Sequence, residues 1–204
     1  MGKLPDAPAT ARNRDPILEV LETELAGCRH VLEIGSGTGQ HAVYFSAKLP
    51  QLVWQTSDVA ANHADIRAWI DAVGRANVRP PLALDVLRDA DPADDFDAVF
   101  TANTAHIMGF PAVEAMFALV GRLLPPRAPF CLYGPLRIDG EFTSPSNAEF
   151  DASLRQRDPA MGLRELADLD RLAASAALER TALIAMPANN FIAVWRKMAT
   201  AAGR

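Results

Sequence analysis

The stretch Glu33-Ile34-Gly35-Ser36-Gly37-Thr38-Gly39 determines how the rest of the chain is interpreted. It completes the short apolar run His30–Ile34, which predicts a buried strand, and it precedes a segment with apolar residues at helical spacing. Glycine tolerates positive φ and lets a ligand approach the backbone without meeting a Cβ. Free N–H groups at the start of the following helix favour electronegative ligand atoms. We therefore predict that this loop binds a ligand.

The spacing of the glycines distinguishes between nucleotide-binding motifs. The dinucleotide motif G-x-G-x-x-G, started at Gly35, requires a third glycine where Gln40 stands. Started at Gly37, it meets Ala42, which the motif tolerates, but its first glycine then follows the end of the strand. The Gly-Lys-Ser/Thr sequence of a Walker A loop is missing. A nicotinamide-dependent oxidoreductase is therefore disfavoured, although it stays open as an alternative.

Strand and helix patterns alternate along most of the chain. Strands are predicted at 30–34, 52–56, 82–84, 96–100, 130–133, 181–186 and 191–195. Helices are predicted from Asp15-Pro16 to Gly27, around 42–49, from 66 to a stop at Gly74, and at 112–124 and 163–177. Continuously apolar strands predict an α/β fold, a mostly parallel seven-stranded sheet with helices on both faces. The short join between the last two strands predicts a C-terminal antiparallel hairpin.

One domain is expected over residues 12–204, after a flexible N-terminal tail at 1–11. Residues 135–162 are predicted to be irregular and polar, which is typical of a lid or acceptor-binding insertion. Four polar residues of this insertion either recognise a ligand or belong to an ordinary surface helix: Asn147, Asp151, Arg155 and Arg157.

Carboxylates follow the two strands that come after the glycine loop. Asp58 ends the second strand, where a carboxylate can accept hydrogen bonds from ribose hydroxyls. Asp85 ends the third strand, where it can accept from an adenine amino group while the Val86 N–H serves a ring nitrogen. A helix cap or a solvated turn is the alternative for each aspartate. Three successive strand ends with this chemistry predict a nucleoside site.

These residues resemble the nucleoside-binding side of class I S-adenosylmethionine-dependent methyltransferases, with a Rossmann-like fold. The chain is more specifically similar to the uncharacterised domain-of-unknown-function 938 family, which includes methyltransferase-like protein 26. The matching stretches are Asn13–Leu18, Gly35–His41, Tyr44-Phe45, Leu82–Val86, Ala102-Asn103, His106-Ile107, Tyr133–Pro135, Pro145–Asn147, Phe150-Asp151, Ser153–Arg155, Arg157–Pro159 and Met186–Asn190.

The resemblance implies S-adenosyl-L-methionine as cofactor and S-adenosyl-L-homocysteine as product. It implies that Gly35, Ser36, Gly37 and Gly39 line the methionine and ribose portion and that Glu33 helps to place the amino group. It assigns the ribose to Asp58 and the adenine to Asp85 and Val86. Asn103 would border the reacting methyl group. Arg14 is the candidate partner of the methionine carboxylate, with a solvated arginine as its alternative.

Methyl transfer requires an acceptor lone pair in line with the S–CH₃ bond, and a base only if the acceptor must lose a proton. His106 is the candidate base, with a structural histidine as its alternative, and Tyr133 is a candidate wall of the acceptor pocket. His41 either touches the cofactor or is structural. Cys/His spacing that would indicate a metal site is lacking.

The formal charge is −5, from 20 basic and 25 acidic side chains, which gives no electrostatic attraction to nucleic acid or to an anionic membrane. Two cysteines, Cys28 and Cys131, indicate reduced thiols and a cytoplasmic location. The expected function is methylation of an unidentified small molecule on O, N or S. The alternative is an S-adenosylmethionine-binding regulatory or scaffold protein without catalysis.

Overall fold

The computed structural model describes residues 4–73 and 76–199. The α-helices and β-strands in these ranges, in chain order, are α1 (Pro8–Glu24), β1 (His30–Ile34), α2 (Gln40–Lys48), β2 (Val53–Asp58), α3 (His63–Val73), β3 (Val78–Ala83), β4 (Ala98–Ala102), α4 (Phe110–Leu123), β5 (Pro129–Gly134), β6 (Leu136–Ile138), β7 (Glu141–Phe142), α5 (Pro145–Arg157), β8 (Arg164–Glu165), α6 (Leu166–Ser175), β9 (Leu178–Met186) and β10 (Asn190–Lys197). Two short 3-10 helices cover Ala60–Asn62 and Pro187–Asn189.

Seven of these strands form one sheet in the order β3-β2-β1-β4-β5-β10-β9. The β1 strand pairs in parallel with both β2 and β4, and β2 pairs in parallel with β3. The β10 strand runs antiparallel to β5 and to β9. The predicted α/β class, the mostly parallel seven-stranded sheet and the C-terminal antiparallel hairpin are therefore confirmed. Strand order reverses at β1, and ligands of such sheets bind at this switch point.

The chain divides into two compact units, residues 1–101 and residues 102–204. In the first unit, Phe45, Trp54 and Phe100 are fully buried and their rings pack edge to face or tilted, with centroids 5.5–5.8 Å apart. In the second unit, Trp195 packs against Phe117 edge to face and stacks on Phe130. Each unit thus has its own aromatic core, which anchors the strands that carry the candidate site residues.

The first helix begins earlier than predicted. Helix α1 starts at Pro8, so residues 8–11 are helical and Pro16 lies inside the helix. Two hydrogen bonds fix the preceding segment: the Ala7 N–H donates to Gln40 Oε1 at 2.6 Å, and Trp69 Nε1–H donates to the Pro5 carbonyl at 2.7 Å. The prediction of a flexible tail is therefore wrong for this part. Residues 1–3, and the predicted helix stop at Gly74, lie outside the described residues.

The predicted irregular insertion at 135–162 contains β6, β7 and α5. In a small second sheet, β6 pairs antiparallel with β7 and parallel with β8. Helix α5 has Pro145 in its first turn and is capped by Ser144, whose Oγ accepts from the Asn147 N–H at 3.1 Å. The prediction of irregular structure is wrong because a polar helix is recognised here by its Ser-Pro cap rather than by an apolar stripe.

Candidate functional site

The glycine loop has a backbone that other residues rarely adopt. Gly35, Gly37 and Gly39 have φ values of 74°, 58° and 84°. A Cβ on Gly39 would lie 3.0 Å from the Ile66 Cα, whereas a Cβ on Gly37 would meet nothing within 4 Å. Gly39 is therefore needed for packing as well as conformation, and Gly37 lies beside open space. Gly39 also occupies the position before the first turn of α2, so the loop leads directly into a helix N-terminus.

Glu33 lies behind this loop as a buried carboxyl, with an exposed fraction of 2 %. Its Oε2 accepts from Ser36 Oγ at 2.8 Å and from Trp54 Nε1 at 3.1 Å. Burial raises the pKa of Glu33 to about 7, against the lowering effect of these two donors. A cationic group placed beside this carboxyl would favour its ionised form.

Asp58 is tied directly to the glycine loop. Its Oδ2 accepts from the Gly37 N–H at 2.8 Å, and its Oδ1 accepts from the Val59 N–H and from Asn62 Nδ2 at 2.7 and 2.9 Å. Each carboxylate oxygen has two lone pairs, so Oδ2 retains one for a further donor. The structure therefore brings together Glu33, Ser36, Gly37 and Asp58, as the sequence predicts. Asn62 was not singled out, because a lone asparagine carries no sequence signal.

Asp85 follows Leu84, whose N–H donates to the Asp58 carbonyl at 3.0 Å. The Asp85 carboxylate accepts from the Leu87 N–H at 3.0 Å, and its Oδ2 lies 3.6 Å from Arg88 Nε. These contacts are those of a turn cap. Asp85 and Val86 are both half-buried. Their assignment to adenine stays a prediction.

Two residues predicted near the cofactor make other contacts. Arg14 is exposed, and its guanidinium carbon lies 4.5 Å from the centre of the Tyr44 ring. His41 is buried and its Nε2 lies 2.8 Å from Asn13 Oδ1. Burial lowers the pKa of His41 to about 4, so the ring is neutral at neutral pH. The structure supports the structural alternative for His41 and gives Arg14 a cation–π contact.

In the second unit, Asn103 follows β4 with a positive φ of 57°, and its N–H donates to the Tyr133 carbonyl at 2.9 Å. Tyr133 is buried in β5. The predicted residues Asn103 and Tyr133 are therefore adjacent. A left-handed backbone at an asparagine that ends a strand is a local strain of the kind found at binding sites.

His106 lies on the loop after β4, with an exposed fraction of 5 %. Its ring centroid is 5.3 Å from that of Phe150, at an interplanar angle of 73°. A Cβ on Gly134 would lie 3.5 Å from His106 Nδ1, an ordinary van der Waals distance, so Gly134 lies directly beside the ring. Burial and the nearby charge of Arg164 lower the pKa of His106 to about 4. The imidazole is therefore neutral at neutral pH, with weak basicity.

Two polar residues of the predicted insertion at 135–162, Asn147 and Asp151, make contacts within the protein. Asn147 is buried, and its Nδ2 donates to Thr143 Oγ1 at 2.8 Å and to the Asn189 carbonyl at 2.9 Å. Asp151 is buried and accepts from Arg155 Nε at 2.7 Å. Sequence reasoning assigned no role to Arg164 or Phe150, which contact the His106 segment in the second unit. Neither stands in a motif with a known chemical meaning.

Within residues 4–73 and 76–199, His, Cys, Asp and Glu side chains form no group of three that could hold a metal ion. A search of the same ranges finds no helix with the length and apolar character needed to cross a membrane. Cys28 is half-buried and Cys131 buried, and neither forms a disulfide.

Comparison with solved structures identifies the fold as that of Rossmann-like methyltransferases. An O-methyltransferase family protein from Burkholderia thailandensis matches with a TM-score of 0.79, 16 % identity and 95 % of this chain covered. An O-methyltransferase family 2 protein from Planctomyces limnophilus, solved with apigenin, matches with a TM-score of 0.80, 18 % identity and 93 % covered. Human N-acetylserotonin methyltransferase, solved with S-adenosylmethionine, matches with a TM-score of 0.71, 15 % identity and 91 % of this chain covered. The matches span 58 %, 58 % and 55 % of those longer chains.

A family model covers nearly the whole chain. Residues 5–197 match the family described as "Protein of unknown function (DUF938)". The chain therefore belongs to this family, as its motifs indicated.

Proposed function

We propose that this protein binds S-adenosylmethionine and transfers its methyl group to a small-molecule acceptor. The observation that carries the proposal is the bond from the Gly37 N–H to Asp58 Oδ2 at 2.8 Å, with open space beside Gly37. This bond joins the glycine loop to the carboxylate at the end of β2. A ligand with hydroxyl donors would find both an accessible backbone and an oriented acceptor there.

The donor and acceptor set of the first unit fits the chemistry of this cofactor. Glu33 would receive the methionine ammonium group, which holds the carboxyl ionised despite its burial. Asp58 would accept from a ribose hydroxyl through the free lone pair of Oδ2. Asp85 and Val86 would meet the adenine. When bound, the cofactor supplies a methyl group on a cationic sulfur, which needs no further activation by the protein.

The second unit carries the proposed acceptor-side residues His106, Tyr133 and Asn103. We assign these residues to the acceptor, whose lone pair must lie in line with the S–CH₃ bond, about 3 Å from the methyl carbon, for transfer to occur. The solved relatives support a small acceptor, because two of them are O-methyltransferases and one was solved with apigenin. A His106 ring with a pKa of about 4 favours hydrogen bonding to the acceptor over strong general-base catalysis.

That weak basicity also favours a second candidate function, a cofactor-binding regulatory or scaffold protein that does not catalyse transfer. We place either protein in the cytoplasm, because the unbridged thiols of Cys28 and Cys131 suit a reducing compartment. Neither function requires nucleic acid or a membrane as partner. The formal charge of −5 agrees with this proposal.

Two experiments test the proposal in sequence. Calorimetric titration of the purified protein with S-adenosylmethionine, S-adenosylhomocysteine and NAD should show binding of the first two ligands and none of NAD. Binding of NAD alone would contradict the cofactor assignment. Incubation with fractionated metabolite pools and S-adenosylmethionine should then release S-adenosylhomocysteine in at least one pool. Tight binding without release in any pool would favour the scaffold function.

A further inference from the structure

The loop that carries His106 is held by one buried arginine that sequence reasoning did not select. Arg164 at the start of β8 has an exposed fraction of 8 %. Its Nε donates to the Ala105 carbonyl at 2.9 Å, and its Nη2 donates to the carbonyls of Met108 and Ala160, the latter at 3.0 Å. One guanidinium therefore connects both ends of the loop around His106 to the segment before β8.

The segment at 160–164 has a second link to the same loop. The Gly162 N–H donates to the His106 carbonyl at 2.9 Å. Gly162 has a φ of 142°, and a Cβ there would lie 2.5 Å from Arg155 Nη2 and 2.8 Å from Asp151 Oδ1. Both atoms end flexible side chains, but the positive φ itself disfavours any residue with a Cβ here. The adjacent Leu163 N–H donates to Asp151 Oδ1 at 2.7 Å, so helix α5 anchors the segment.

These contacts determine where the His106 ring lies. Its main chain is bonded to Gly162, and the loop on either side of it is bonded to Arg164, while the ring meets Phe150 of α5 edge to face. Phe150 has an exposed fraction of 39 %, so one side of this aromatic pair is open to solvent. An aromatic edge beside a neutral imidazole suits a planar, weakly polar ligand.

We propose that Arg164 is a positioning residue that fixes the loop at residues 105–108 and thereby holds the His106 ring against Phe150 on the acceptor side. The proposal rests on the proposed function only for the role of His106. Its physical basis is the planar guanidinium, whose donors form a rigid fork and reach separate carbonyls at fixed angles, whereas the donors of a lysine ammonium all lie on one rotatable nitrogen. The guanidinium carbon also lies 5.9 Å from the centre of the Phe110 ring, which supports the charge in a buried place.

The test compares Arg164→Met and Arg164→Lys with Arg171→Met, in which an exposed arginine paired with Asp168 is changed in the same way. Nuclear magnetic resonance of the full chain gives two readouts, amide exchange at Gly162 and titration of the His106 ring. In Arg164→Met, we expect exchange at Gly162 to be about tenfold faster or more, because charged hydrogen bonds are lost. We also expect the pKa of His106 to rise, because a nearby cation and part of the burial are removed.

Arg164→Lys should rescue part of the exchange effect and keep the pKa of His106 low, since it keeps the charge but loses the fork of donors. Wild-type-like exchange and titration in a folded Arg164→Met protein would overturn the proposal. If that variant does not fold, equal Gly162 exchange in Arg164→Lys and Arg171→Met would overturn it. Fast exchange of the Gly162 amide hydrogen in the wild-type protein would also overturn the proposal.

Binding of S-adenosylmethionine by each variant separates this proposal from the proposed function. The hydrogen bonds of Arg164 given above go to the carbonyls of Ala105, Met108 and Ala160, which the proposed function does not assign to the cofactor, so we expect unchanged affinity. If the wild-type protein does not bind S-adenosylmethionine, the proposed function is contradicted. The Gly162 exchange and His106 titration would still decide the role of Arg164.

Discussion

The indole Nε1 of Trp54 donates to Glu33 Oε2 at 3.1 Å, and both side chains are buried. This bond crosses from β2 to β1 and shares its acceptor atom with Ser36. Because a donor stabilises the ionised carboxylate, the bond opposes the effect of burial on the pKa of Glu33. The charge state of the residue behind the glycine loop therefore depends on a core tryptophan.

Trp54→Phe should raise the pKa of Glu33 further above about 7 and lower the free energy of unfolding by about 1–3 kcal/mol, because a buried acceptor loses a donor. Carbon-13 titration of labelled glutamate side chains would measure the first effect and denaturant unfolding the second. Trp69→Phe is the control, since Trp69 donates to the Pro5 carbonyl instead. An unchanged Glu33 pKa in Trp54→Phe would contradict the assignment of this bond.

Glu33→Gln should change how stability depends on pH. The pKa of Glu33 in the folded protein, about 7, lies above its ordinary value of 4.5, so the folded state holds a proton that the unfolded state releases. The wild-type protein should therefore lose stability relative to Glu33→Gln as pH rises from 4.5 to 7, by about 3 kcal/mol at most. Denaturant unfolding of both proteins between pH 5 and pH 8 measures this difference.

The buried histidines act with the opposite sign. Because the pKa values of His41 and His106 are lowered on folding, both residues reduce the free energy of unfolding of the protein as pH falls from 6.5 towards 4. This contribution is the same in the wild-type protein and in Glu33→Gln, so it cancels in the difference between them. Parallel stability curves for the two proteins would show that Glu33 has an ordinary pKa.

Gly37→Val should abolish cofactor binding, because valine disfavours a φ of 58° and places a branched side chain in the open space beside the loop. Gly140→Val is a matched control, since Gly140 also has positive φ, 80°, and a Cβ there would likewise meet nothing within 4 Å. Calorimetry with S-adenosylmethionine should detect binding in the control alone. Normal binding by a folded Gly37→Val protein would refute the loop assignment.

His106→Ala should leave cofactor affinity unchanged and slow methyl transfer by about 100-fold, because the acceptor loses a hydrogen-bonding partner that holds it in line for transfer. His30→Ala serves as control, because the Nδ1 of His30 bonds to the Asp95 carbonyl at 2.8 Å. Turnover is measured with the acceptor pool that the screen identifies. Equal turnover in the two variants would return His106 to a structural role.

The order of strands and the glycine loop were predictable from sequence because each rests on a local rule. Apolar runs mark buried strands, and a Gly35-x-Gly37-x-Gly39 turn requires backbone conformations that only glycine adopts readily. The closeness of Glu33 and Asp58 to this turn followed from the parallel order of β1 and β2.

Features that depend on distant contacts were not predictable. Helix α1 extends back to Pro8 because its preceding segment bonds to Gln40 and Trp69, far along the chain. Helix α5 has too few apolar residues for its period to stand out. The role of Arg164 could not be predicted, because it depends on three carbonyl groups that only the folded structure brings to its guanidinium.

The anchoring of the N-terminal segment has a practical consequence for anyone who shortens this protein. Gln40, the residue directly after Gly39, bonds to Ala7, Asp6 and Thr38. A version trimmed to start at Pro8 would keep every proposed ligand-binding residue but would remove two of these three partners of the Gln40 side chain, which borders the glycine loop. Weak binding by such a trimmed protein should first be attributed to the cut, and protein prepared for ligand screens should retain these leading residues.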